Sequence, residues 1–241
     1  MITAVTAFVP IPGHPRPEAE YHALGSRLLG MHCEIPLLFA EGDLMHCWLF
    51  DRLQQQPEFT HSVSDNPAKN SVAYHIVQAQ KSTWLAAAAT VDTLADVFCW
   101  IDYGIFHVPG VTEQVIIEFL QRAENERLIT IPGCWGSDYT YDDDHPCWRF
   151  CGGVMLVPRE YIQTFDNAMR QEYHSWLNKT NNLSWEVNTL ARVEQKYPDM
   201  IWHYQADHNQ QIFTNYRVTE YADGQRGPRL VAHHESDQRF I

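Results

Sequence analysis

At 241 residues the chain has the length of one large α/β domain, and its 45% hydrophobic and 20% charged residues exclude a disordered or low-complexity polypeptide. A formal net charge of −13, from 30 acidic against 17 basic residues, excludes a surface that gains affinity by neutralising many phosphates, so nucleic acid is not an expected partner. No window reaches the roughly 18 to 20 apolar residues of a spanning helix, and the first residues lack a basic and apolar secretory signal, so a cytoplasmic protein with reduced thiols is expected.

The predicted elements begin with a strand over Ile2 to Val9, which is β-branched and aromatic and stops at the Pro/Gly-rich stretch Pro10 to Pro17. A helix follows over Glu18 to Leu29, with Gly30 as its stop, and then a strand over Ile35 to Ala40. Residues Val72 to Ala89 are alanine-rich and free of Gly and Pro, so they read as one long helix leading into the strand Val97 to Ile101. Further on come a helix over Thr112 to Arg122, a strand over Leu128 to Ile131 and an irregular acidic stretch from Ser137 to His145. A glycine-opened strand over Cys151 to Pro158 precedes a helix over Arg159 to Trp176, a helix over Trp185 to Lys196 and a strand over Met200 to Tyr204. Strands alternating with helices predict an α/β fold, one domain over 1–241 with a central mixed sheet flanked by helices, the last dozen residues being a loose tail.

In open α/β sheets ligands bind beyond the carboxyl ends of the strands, so the polar residue after Val97 to Ile101 stands out. Asp102 either holds a cation or a ribose hydroxyl there or caps the following turn, and Gly104 lets backbone approach a bulky ligand. Lys81 either meets an anionic ligand or lies on a solvated helix face. The six cysteines contain no C-x-x-C pair, and Cys147 to Cys151 is a spacing that fits no common zinc module, so they read as small buried hydrophobes. The acidic stretch reads as a solvated or acceptor-side loop, with Trp135, Tyr139 and Tyr141 as flat faces on which sugars pack.

The path from Gln80-Lys81 through the alanine-rich helix into Phe98-Cys-Trp-Ile-Asp-Tyr-Gly-Ile105 resembles the HtrL/YibB-like group of bacterial glycosyltransferase-related proteins. More broadly it is similar to GT-A glycosyltransferases, in which Asp-x-Asp follows a central strand. The resemblance implies a transferase that takes a nucleoside-diphosphate sugar, with UDP among the candidate nucleotides, as donor and a glycan or lipid-linked saccharide as acceptor, in polysaccharide biosynthesis. It implies a donor site at Phe8, Val9, Lys81, Asp102, Tyr103, Gly104, Gly152 and Gly153. Mn²⁺ or Mg²⁺ is implied too, but Gly104 stands where the second acid of Asp-x-Asp belongs, so the metal is expected on Asp102 and His208. Glu186, in the first turn of a helix, matches the position of the catalytic base in inverting GT-A enzymes, although acids also favour that turn through the helix dipole.

Other classes fit less well. There is no G-x-G-x-x-G after strand one, no G-x-x-x-x-G-K-[ST] and no G-x-S-x-G. A non-catalytic or hydrolytic relative of the same fold remains the alternative, and a carbohydrate-binding module would have no reason for the Asp102 and His208 pair.

Overall fold

The computed structural model describes residues 1–56, 58–136, 138–139 and 142–217; the stretch expected as a tail and Tyr141 lie outside them. Strand β1 (Ile2–Phe8) is buried along its whole length, as an apolar run covered on both faces of a sheet must be. Helix α1 (Glu18–Leu29) opens with Glu18 and Glu20, which complement its dipole, and ends at Gly30, whose N–H returns to Ser26 O at 2.9 Å. Strand β2 (Leu37–Glu41) then pairs parallel with β1, Ala4 opposite Leu37. Helix α2 (Trp48–Gln54) and the two-residue strand β3 (Thr60–His61) carry no clear sequence signal.

The single helix expected over Val72 to Ala89 is two helices, α3 (Val72–Ala79) and α4 (Lys81–Val91), joined at Gln80. Gln80 is buried, and its amide oxygen accepts the Trp48 N–H of α2 at 3.0 Å. Its own N–H turns back to Val77 O at 3.2 Å, a tightened turn that breaks the α-helical ladder. Helix propensity favours continuity here because it does not encode a tertiary side-chain bond.

Strand β4 (Val97–Ile101) follows, and helix α5 (Glu113–Ala123) is capped by Thr112, whose hydroxyl accepts the Val115 N–H at 3.3 Å. Strand β5 (Ile129–Gly133) leads through a long loop to β6 (Val154–Pro158), which starts three residues later than the expected Cys151, directly after the two glycines. Helix α6 (Arg159–Thr180), strand β7 (Asn182–Leu183), helix α7 (Glu186–Lys196), strand β8 (Ile201–Gln205) and helix α8 (Gln211–Thr214) complete the described chain.

The main sheet has the order β2-β1-β4-β6-β5-β8, and only β6 runs antiparallel to its neighbours β4 and β5. It is the mixed sheet flanked by helices that the sequence predicts. Alternate residues feed two cores: Phe98 and Trp100 pack with α4, α6 and α7, whereas Val97, Cys99 and Ile101 pack with α5 and α8. Because β6 is reversed, its beginning lies at the same edge as the end of β4, and the Asp102 N–H bonds to Gly153 O at 2.9 Å.

Candidate active site

Beyond the carboxyl ends of β1 and β4 lies a cavity of about 960 Å³. Its position is where open α/β sheets bind ligands. At its floor, Lys81 Nζ lies 3.0 Å from Asp102 Oδ1, 3.0 Å from Glu186 Oε2 and 2.8 Å from Gly152 O. An ammonium has three N–H donors, and these three partners use them all. Burial opposes the charge on Lys81, but the two carboxylates outweigh it and its pKa is raised. Lys81 is therefore not on a solvated face; it lines the cavity as the bridge that holds two acids together.

Glu186 is 4% exposed and comes from the first turn of α7. Its Oε2 is fixed by Lys81, while Oε1 has no hydrogen-bond partner among the described residues. Burial pushes its carboxyl up to about 7, Lys81 pulls it down and Asp102 pushes it up again. A group that gains and loses a proton near neutrality suits general base work. Gly152 leaves room for it, since a Cβ there would lie 2.5 Å from Glu186 Oε2, whereas at Gly153 it would meet Asp102 Oδ2 at an ordinary 3.5 Å. Gly152→Ala is thus expected to displace Glu186 and lower any turnover by about tenfold or more, with Gly153→Ala much milder; steady-state rates and melting temperatures of the two variants check this.

Asp102 is held by the Trp100 indole N–H at 2.7 Å as well as by Lys81, both on Oδ1. Its Oδ2 takes no bond among the described residues. Gly104 follows Asp102 for a local reason, because a Cβ there would come within 3.1 Å of the Tyr21 ring. His208 does not join Asp102. The sheet sets β6 and β5 between β4 and β8, and three strand spacings amount to about 14 Å. The His208 Nδ1 lies instead 3.3 Å from Cys134 Sγ, and its ring stands edge-on to Trp148 at 4.6 Å. Asp102, paired on Oδ1 but open on Oδ2, offers one carboxylate oxygen to a hard divalent cation, whose remaining oxygens would come from substrate phosphates and water. Asp102 Oδ2 would hold Mn²⁺ or Mg²⁺ there together with donor phosphate oxygens.

Phe8, Val9 and Tyr103 line the cavity as expected, yet their side chains also have structural work. Phe8 packs on His22 at 4.6 Å and Tyr103 at 5.1 Å, Tyr103 stacks on Phe39 at 5.3 Å, and Val9 belongs to the core. Two cations on the cavity wall escape sequence reading. Arg16, in the loop after β1, pairs with Glu20 at 3.1 Å, and Lys69 stands over the Trp148 ring at 4.2 Å. Lys69 has no carboxylate within ion-pair distance among the described residues, and burial, then Lys81, lowers its pKa. Neither has a local signal: Asp102 directly follows the end of β4, whereas Arg16 comes eight residues after the end of β1 and Lys69 follows no strand of the main sheet.

Among the described residues the acidic stretch forms no group of metal ligands. Asp142 accepts the N–H groups of Asp144 and His145, and Asp143 pairs with Arg192. Trp135 and Tyr139 do not line the cavity, and Tyr139 instead bonds Glu194 and packs under Arg149.

No protein-family model and no curated protein matches the chain, so the resemblance to the HtrL/YibB-like group stands on its motifs alone. Among solved structures the chain is similar to a glycosyltransferase involved in the glycosylation of the major capsid of PBCV-1, with 13% identity over 85% of this chain and 81% of that one and a TM-score of 0.48. It is also similar to mouse xyloside xylosyltransferase 1 in its apo form, with 10% identity, 84% of each chain covered and a TM-score of 0.43. The bifunctional IspDF from Campylobacter jejuni gives 9% identity, 89% of this chain, 52% of that one and a TM-score of 0.40.

Proposed function

We propose that the chain is a GT-A type glycosyltransferase that moves a sugar from a nucleoside-diphosphate sugar to a hydroxyl of a glycan or lipid-linked saccharide, with inversion and with Glu186 as the general base. The observation that carries this reading is the Lys81-bridged pair of Asp102 and Glu186 at the floor of a cavity whose wall presents Lys69 without a carboxylate partner among the described residues.

Each part has a task in such a transfer. The anionic diphosphate of the donor is met by Lys69 and Arg16, which supply the charge that favours its departure. Asp102 Oδ2 accepts a hydroxyl of the ribose or the sugar. The acceptor oxygen attacks the anomeric carbon as the bond to the diphosphate breaks, and its proton passes to Glu186. Lys81 is a positioning residue, which fixes the Glu186 carboxylate and keeps it ionisable beside Asp102.

Differential melting tests the reading. UDP, GDP or dTDP at about 100-fold above Kd is expected to raise Tm by on the order of 5 °C. Lys69→Ala is expected to weaken that nucleotide by about tenfold. No shift with any of the three nucleotides would sink the donor site. Release of free sugar without any acceptor product would instead identify a hydrolytic relative.

A further inference from the structure

Three metal-binding side chains that lie far apart in sequence meet at one end of the sheet. Cys134 follows β5, Cys151 precedes β6 and His208 follows β8, and these three strands are neighbours. Cys134 Sγ lies 3.7 Å from Cys151 Sγ and 3.3 Å from His208 Nδ1, and one ligand atom from each of the three lies within 4.8 Å of the others. Tetrahedral bonds of about 2.3 Å to sulfur and about 2.0 Å to nitrogen set two sulfurs about 3.8 Å apart, and a sulfur and a nitrogen about 3.5 Å apart. Both distances from Cys134 Sγ match these values to within a few tenths of an ångström, and Cys151 and His208 lie within 4.8 Å of each other. A disulfide is much further away, because its sulfurs must close to about 2.05 Å.

The chemistry agrees with the spacing. Two thiols and an imidazole are a soft donor set, suited to zinc and unsuited to Mg²⁺ or Mn²⁺. Trp148, edge-on to the His208 ring, restrains its orientation.

We propose that Cys134, Cys151 and His208 bind a zinc ion through three protein ligands, with the fourth position open to the cavity. Cys151 and His208 both line that cavity, and no fourth His, Cys, Asp or Glu joins the group among the described residues. Three protein ligands with one open position characterise zinc that takes water or a ligand oxygen, in contrast to closed structural sites. The site stands whether or not the cavity receives a nucleotide-sugar.

Elemental analysis of the full chain, loaded with Zn²⁺ and then desalted, is expected to find about one zinc per chain. Cys134→Ser, Cys151→Ser and His208→Ala are each expected to reduce retained zinc by about tenfold or more, with far-UV circular dichroism unchanged. Co²⁺ in place of Zn²⁺ is expected to give a near-ultraviolet thiolate-to-cobalt band that the serine variants lose. Should Cys151→Ser fail to fold because its site is buried, the half-exposed Cys134 and exposed His208 decide the matter alone. Retention of zinc by both of those variants, no zinc in the wild type, or a Cys134 to Cys151 disulfide in protein purified under reductant would each overturn the proposal.

Discussion

Lys81→Met is expected to lower the unfolding free energy by about 3 to 5 kcal/mol above neutral pH, because it keeps most of the side-chain volume but leaves a buried carboxylate uncompensated. Glu186 carries most of that cost, being 4% exposed, whereas the Asp102 side chain is 32% exposed and partly screened by water. The loss depends on pH with a definite sign. Burial raises the Glu186 carboxyl to about 7 and Lys81 works against that rise, so removing Lys81 raises it further. A group with a raised native pKa favours the folded state while protonated and loses that contribution as pH rises through the native pKa. The variant is therefore expected to lie closest to the wild type in acid and furthest from it in base, as read from urea unfolding across pH. An equal loss at every pH would mean that Lys81 contributes only through the packing of its stem.

Glu186→Gln is expected to lower kcat by roughly 10² to 10⁴ while leaving donor affinity nearly unchanged, since the amide keeps the shape but cannot take the acceptor's proton. In the wild type, kcat is expected to rise with pH through an inflection near the value of about 7 set by burial, Lys81 and Asp102, and to level off once Glu186 is ionised. The glutamine variant should show a flat profile over the same range. A variant that loses donor binding together with rate would assign Glu186 to the architecture of the floor, and retention of anomeric configuration would remove its role as base.

Much of the frame is legible because β1 and β4 are apolar runs too continuous to face water, and because Asp102 stands where such a run ends. Glu186 is legible for a similar reason, as an acid in the first turn of a helix. The partnership between the two is not, since Lys81 in an alanine-rich helix gives no sign that its ammonium is buried. The break at Gln80 is equally silent, as it depends on the Trp48 N–H contributed from another helix. Pairing His208 with Asp102 fails because both follow strands but the strand order, which separates β4 from β8, is a property of the whole sheet. The same order gathers Cys134, Cys151 and His208, which no local spacing connects. Lys69 and the two-residue strands β3 and β7 belong with these, being defined by what lies across from them.

The reversal of β6 links what the cavity does to what it admits. Five residue pairs with β4 fix β6 in register, and β4 is fixed in turn by β1, so the floor of the site is anchored from both sides. The loop over residues 134–153 is tied down at its end, where the Cys151 N–H meets Pro132 O at 2.6 Å, and to α7, where Asn188 accepts the Cys147 N–H at 2.8 Å and donates to His145 O at 2.9 Å. Pro146 and Trp148 of that loop line the cavity, so substitutions there are expected to change which molecule enters and, through Asn188 two residues beyond Glu186, to move the acid as well: selectivity and chemistry are linked in this architecture.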